Sequence, residues 1–349
     1  MENSVSPLDL IDMMLFPSFC VRDQKIIRVN EAAKRAFLKP DMEIMPLLTT
    51  GLQEYASFRE GCLYLTLTLA GENQGVTVTR VGDVDIFLAD EQTELQELQV
   101  LALAAQELRM PLSNVILAAD QLGQRAESTR ECAARLNRGT AQLQRMICNM
   151  SDALRFLKGA RYQVKNVTAL ISEILEKAGT LSQHTGVSFR CQLPQEDIFT
   201  LVDEEQLERA IYNLVSNSLK FTPAGGTVEA ILARKGKLLR LTVQDSGSGI
   251  SDGILKNIYT RYLRQPSLED SRHGLGLGMV LIRAAARNHG GTVLVDRPGE
   301  GARVSMTLAI RKPSEAFVRS PVVRFDYAGE RDHGLLELSE SLPADLYLP

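Results

Sequence analysis

Three polar clusters carry residue types suited to holding a phosphorylated ligand. In AIYNLVSNSLKFT, Asn213 and Asn217 stand four residues apart and are followed by Lys220 and Phe221. On a helix such a pair shares one face, while Ile211, Leu214, Val215 and Leu219 take the buried one. Amide oxygens are hard ligands of the kind Mg²⁺ accepts while it bridges phosphates. The same spacing also fits two surface asparagines. In LTVQDSGSGI, Asp245 closes a strand ahead of Gly247 and Gly249. Glycines there let the backbone bend and approach a ligand, and the carboxylate can accept from an exocyclic amine. A solvated Gly/Ser turn fits as well. The third cluster is GLGLG, residues 274–278, opening a helix. Unpaired N–H groups and a positive dipole end favour phosphate there, though a hinge would look alike. It is not a dinucleotide fingerprint, because Met279 stands where the last glycine belongs, and no GxxxxGK[ST] loop occurs.

The elements that must position these clusters follow from periodicity. Residues 161–312 alternate helical and strand-like segments, which predicts a two-layer α/β sandwich. Upstream, Leu98, Leu101, Ala105, Leu108, Leu112, Val115, Ala119 and Leu122 keep heptad spacing. A second helix repeats it through Leu136, Thr140, Leu143, Ile147, Met150, Leu154 and Leu157. Two such helices make an αα-hairpin, and two hairpins would make a four-helix dimer core. Pro111 predicts a local kink in the first helix. Residues 8–90 read as short strands and one helix, EAAKRAFL, which implies a small α+β unit with an antiparallel sheet.

Composition narrows the classes. At 349 residues the chain exceeds one typical domain, and a net charge of −4 gives no general reason to expect nucleic acid or an anionic membrane as partner. No apolar run approaches the ~20 residues of a membrane span, and MENSVSPLDL lacks the features of a signal segment, so a cytoplasmic protein is expected. Five cysteines without CxxC spacing suggest reduced thiols rather than disulfides or a zinc site. The tail from 313 is acidic. We expect it to be solvated, with LLELSESL able to form a short amphipathic helix.

The order of the clusters, downstream of a hairpin carrying QELRMPL, resembles a sensor histidine kinase of the ATPase superfamily shared with gyrase and Hsp90. The resemblance covers residues 95–312. Asn213 and Asn217 resemble the N box, Asp245, Gly247 and Gly249 the first G box, IYTRYLR (258–264) the F box, and Gly274 and Gly276 the second G box. It implies ATP and Mg²⁺ as cofactors. Asp245 would hold the adenine amine, Asn217 with Asn213 the Mg²⁺, Lys220 would approach phosphate, and Phe221 would pack near the base. Gly247, Gly249, Arg264, Gly274, Leu275 and Gly276 would complete the nucleotide site, with residues 265–273 as a lid. The N-terminal part is similar to a PAS sensor domain. It has no histidine, and neither of its cysteines sits in a reactive context, which favours a cofactor-free dimerising or partner-binding module. The implied organisation is multidomain α+β: a PAS-like domain (1–90), a dimerising hairpin (91–160), an ATP-binding domain (161–312) and an acidic tail (313–349).

One departure bears on function. The resemblance places a phosphoacceptor histidine at Gln106, beside Glu107, and a short polar residue at Met110. A carboxamide nitrogen has its lone pair delocalised into the carbonyl and cannot form the phosphoramidate. Residues 1–183 contain no histidine to substitute. A thioether at Met110 cannot orient the water that would dephosphorylate a response regulator. The expected protein is thus a cytoplasmic homodimer that binds ATP, does not phosphorylate position 106, and regulates a response regulator or partner kinase. The alternatives are an active ATPase or kinase acting on another protein, and a structural dimer with an empty pocket.

Overall fold

The computed structural model describes residues 11–14, 16–89, 107–108, 110–111, 114–115, 129–157, 159–249, 277–297, 299–311 and 332–347. In the N-terminal part, strands β1 (Ser18–Arg22), β2 (Lys25–Val29), β3 (Cys62–Leu69), β4 (Glu72–Val81) and β5 (Val84–Ala89) pair antiparallel in the order β2-β1-β5-β4-β3. Short helices α1 (Glu31–Arg35) and α2 (Leu52–Ser57) lie between β2 and β3 in the chain. Asn30 ends β2 and caps α1. Its Oδ1 accepts from the backbone of Ser18 (3.1 Å) and Ala33 (2.8 Å), and its amide donates to three carbonyls, including Phe16 at 2.8 Å. A buried side chain with every polar atom satisfied in this way fixes the chain path at no desolvation cost. Phe19 stacks on Phe87 at 4.8 Å in the core beneath.

Helix α3 (Thr129–Leu157) follows, 29 residues long. Its predicted apolar seam is not the face turned to its own chain. Ile147 is 57% exposed, and Leu136, Thr140, Leu143 and Met150 are half-buried. The inward face instead carries Ala134, Ala141, Arg145, Asn149, Asp152 and Phe156. Of the first helix, Pro111, Asn114 and Val115 lie against Gly139 of α3, where a Cβ would stand 3.0 Å from the Val115 side chain. Leu98, Leu101, Ala105, Leu112, Ala119 and Leu122 lie outside the described residues.

The C-terminal part has the two layers that its periodicity predicts. Strands β7 (Ser188–Gln192), β9 (Thr227–Lys235), β10 (Leu238–Asp245), β11 (Val293–Asp296) and β12 (Arg303–Ala309) run in the order β11-β12-β10-β9-β7, antiparallel except for β7 with β9. β6 (Gln163–Asn166) and β8 (Phe199–Val202) form a separate pair. Helices α4 (Val167–Ser182), α5 (Glu204–Phe221) and α6 (Leu277–Asn288) pack on the sheet over one apolar core containing Ile171, Leu175, Ile211, Val215, Leu241 and Ile282. β3 pairs with β11, joining the two sheets into one of ten strands through Tyr64↔Val293, Leu63↔Leu294 and Cys62↔Val295. The Arg283 guanidinium lies 4.0 Å from the Tyr64 ring centre beside this junction.

The tail departs from its expectation. In residues 332–347, helix α7 (His333–Glu337) and a 3₁₀ turn (Ala344–Tyr347) dock on α3, α4 and α5 instead of extending into solvent. Leu336, Leu338 and Leu342 are buried. Each such leucine contributes on the order of 1.5–3 kcal/mol, which outweighs the solvation of the surrounding acids once those are paired with cations. None of the five cysteines is joined in a disulfide, as the spacing suggests. Among the described residues no helix is long and apolar enough to cross a membrane.

Candidate functional site

Helix α5 carries the first cluster. Asp203 caps it by accepting from the Gln206 amide at 3.1 Å, Glu204 and Glu205 fill the first turn, and Lys220 lies in the last, matching the dipole at both ends. Leu207, Ile211, Leu214, Val215 and Leu219 face the core. Asn213 is only 1% exposed, which excludes the surface-asparagine reading for it. Its amide donates to the Arg209 carbonyl (2.8 Å), and its oxygen accepts from Arg145 Nη2 (3.2 Å). Gly278, in the first turn of α6, makes room for it: a Cβ there would stand 2.7 Å from that oxygen. One turn on, Asn217 is half-buried. Lys220 Nζ sits 2.9 Å from the Glu340 carboxylate and 5.9 Å from the centre of the Phe221 ring, which is partly exposed.

The second cluster is built by strand alternation. Along β10, Leu239, Leu241 and Val243 point inward, and Asp245 occupies the next inward position, so a carboxylate is buried where the pattern calls for an apolar residue. Its Oδ1 accepts from the backbone of Gly247 (3.0 Å) and Ala302 (3.1 Å). Burial is the largest influence on this acid and raises it above the ordinary carboxylate range, against those two N–H groups and the Ser218 hydroxyl. The turn that follows is possible only for glycine. A Cβ on Gly247 would lie 2.3 Å from the Phe221 carbonyl oxygen, and Gly249 has φ +69°. The end of β10 and the end of α5 are therefore in backbone contact, which brings Asp245 close to Phe221 and to the last turn of α5, where Lys220 lies. A solvated Gly/Ser turn does not describe this geometry.

The remaining predicted positions divide by location. Arg264, Gly274, Leu275 and Gly276, the F-box segment and residues 265–273 lie outside the described residues, as does Gln106. Glu107 is half-buried and Met110 is 64% exposed.

A charged cluster that sequence reasoning missed adjoins α5. Arg209 is fully buried, bonded to Asp152 (2.8 Å), to Asn149 (2.6 Å) and to Glu337 of the tail. Arg145 meets Glu337 (3.4 Å) and Glu340 (2.9 Å). His333 pairs with Glu208 at 3.1 Å, and Lys177 with Asp332 at 2.8 Å. The only signal for this in the sequence is that Arg209 stands one turn before Asn213 on the same helix.

Residues 202–312 match the family described as the histidine kinase-, DNA gyrase B-, and HSP90-like ATPases. This part of the chain belongs to that ATPase family. The match extends from the end of β8 past β12 and includes both clusters. The wider chain is related to sensor histidine kinases. It is 28% identical over 231 residues to the adaptive-response sensory kinase SasA of Synechococcus sp. (strain JA-3-3Ab), covering 63% of this chain and 61% of the relative. It is 30% identical over 220 residues to the histidine protein kinase DivJ of Caulobacter vibrioides, covering 60% and 37%. The chain thus spans less than two thirds of the length of these relatives. A solved structure of the histidine kinase ThkA in complex with the response regulator TrrA aligns with a TM-score of 0.47 at 17% identity, over 85% of this chain and 96% of that one.

Proposed function

We propose that this chain is a two-component signalling protein that binds ATP with Mg²⁺ at the opening between α5 and β10 and does not phosphorylate its own position 106. The observation that carries the reading is Asp245. It is a buried carboxylate held by neutral donors, the backbone of Gly247 and Ala302 and the Ser218 hydroxyl, at the mouth of a glycine turn, and its acceptor capacity suits the exocyclic amine of adenine. The residues fit the nucleotide at this end. At the phosphate end, Lys220 supplies a cation and Asn217, joined by Asn213 once Arg145 releases it, supplies the amide oxygens for Mg²⁺. Bound ATP would supply a transferable phosphoryl group, and Gln106 offers it no nucleophile.

The hairpin then acts as a surface rather than as an acceptor. The exposed Ile147 and the half-buried Leu143 and Met150 support pairing of two copies along α3, and exposed Met110 supports docking of a response regulator or partner kinase beside Glu107. The strand order β2-β1-β5-β4-β3 and the Asn30 cap support a PAS-like input domain.

The test compares the wild type with Gln106→His under γ-labelled ATP, alongside calorimetry with a non-hydrolysable analogue. Nucleotide binding in both proteins, with acid-labile label only in the variant, is the expected outcome. Acid-labile label on the wild type would overturn the proposal, and absence of nucleotide binding would leave the structural-dimer reading.

A further inference from the structure

We propose that the docked tail is an intramolecular competitor for the nucleotide site, with the Glu340 carboxylate standing in for an ATP phosphate. The inference rests on the nucleotide-binding reading above and adds its regulation.

Four observations carry it. Glu340 places one oxygen 2.9 Å from Lys220 Nζ, the cation assigned to phosphate, and the other 2.9 Å from Arg145 Nη1. Arg145 in turn holds the oxygen of Asn213, an amide assigned to Mg²⁺. One carboxylate thus engages the phosphate cation directly and one metal amide through a single intermediary. The tail is seated by apolar and charged contacts independent of Glu340: buried Leu336 and Leu342, and Glu337 against Arg209. Arg138 of α3 donates to the backbone carbonyls of Ser339 (3.0 Å) and Glu340 (3.0 Å), which fixes the turn bearing the acid. A carboxylate between two cations satisfies the same charge and hydrogen-bonding demand as a phosphate oxygen, so the two compete for Lys220.

The arrangement joins three parts of the chain. Because Arg145 belongs to α3, displacing Glu340 removes one of the partners of this buried cation and leaves it to Glu337 and Asn213, so nucleotide occupancy reaches a side chain of the helical hairpin. Linkage requires reciprocity: the factor by which the docked tail weakens nucleotide binding equals the factor by which nucleotide weakens tail docking.

The experiment uses the full chain and Glu340→Gln, which keeps the size of the side chain and leaves Glu337 and the leucine anchors in place. Two quantities are read: affinity for Mg²⁺ and a non-hydrolysable ATP analogue by calorimetry, and amide hydrogen exchange of residues 333–347 with and without saturating analogue. The expected result is roughly tenfold tighter binding by the variant, within the usual range of site-to-site coupling, and faster exchange of the wild-type tail when the analogue is bound. Equal affinities with tail exchange unchanged by bound analogue would overturn the competitor and leave the nucleotide site standing. No binding by either protein would overturn the nucleotide site and the competitor with it.

Discussion

Two buried acidic sites flank helix α5, and they are built on opposite principles. At the end of β10, Asp245 is held by neutral backbone donors, and burial lifts its carboxyl above the ordinary range. At the tail, burial also opposes the charge of Glu340, but Arg145 and Lys220 outweigh it and hold the acid below its ordinary range. Among the described residues no cation is bonded to Asp245, which suits a neutral donor such as an aromatic amine. The second is a finished ion pair whose cations serve equally for another anion. On the proposed reading, the neutral site would take a ligand where the charged one holds part of this chain.

The largest expected effect comes from breaking the charged side. Arg209→Met takes a shared, fully buried cation from Asp152 and Glu337, leaving Asp152 to Arg155 and Glu337 to Arg145, and removing one partner of a buried pair costs up to about 3–5 kcal/mol. Thermal unfolding should show a clearly lowered midpoint, and an unchanged midpoint would mean that the cluster contributes no net stability. A smaller effect is expected on the neutral side. Asp245→Asn removes a charged acceptor worth about 1.5–3 kcal/mol, so affinity for adenine nucleotide should fall by one to two orders of magnitude on the scale of about 1.4 kcal/mol per tenfold, with the melting temperature of the unliganded protein little altered. Inosine nucleotide affinity serves as the control, because its base has no exocyclic amine to donate to this acceptor.

The smallest effect separates the two sites by pH. Glu340 has a lowered pKa, so its contribution to stability is complete above the unfolded value and is lost only as pH falls through the lower folded value. Asp332, paired with Lys177, behaves alike. Asp245 has a raised pKa, so mild acidification protonates it in the folded chain first, which favours folding slightly and removes the acceptor. Between neutral pH and the ordinary carboxylate range, adenine-nucleotide affinity should decline while exchange protection of residues 333–347 persists. Loss of both together would show that the two acids are not set apart in this way.

Much of the fold was legible in the sequence because it is written in short periods. The alternation through Leu239, Leu241 and Val243 and the apolar stripe of α5 predict the sandwich, and the spacing of Asn213, Asp245 and Gly247 marks the candidate site. Three things were not legible. The burial of Asn213 depends on Arg145 and Gly278, which are distant in sequence. The docking of the tail depends on Arg209, Arg138 and Arg145 meeting acids some 130 to 200 residues away, and nothing in LLELSESL announces its partner. The inward face of α3 mixes small apolar residues with Arg145, Asn149 and Asp152, so heptad counting, which looks for large apolar side chains, passed over the face that grips the ATPase-family domain.

The ladder between β3 and β11 has a consequence for handling the molecule in pieces. Each strand covers the other's open edge, and the Gly61 backbone fits so closely on Val295 that a Cβ would lie 2.1 Å from its carbonyl oxygen. Separating the two sheets would bare a row of unpaired N–H and C=O groups on both halves, flanked by Leu63 and Val293, which is the surface from which strand-to-strand aggregation starts. The N-terminal domain is thus a shield for the nucleotide-binding domain as well as a candidate sensor, and the C-terminal half expressed alone should gain self-association along β11 before it loses its fold.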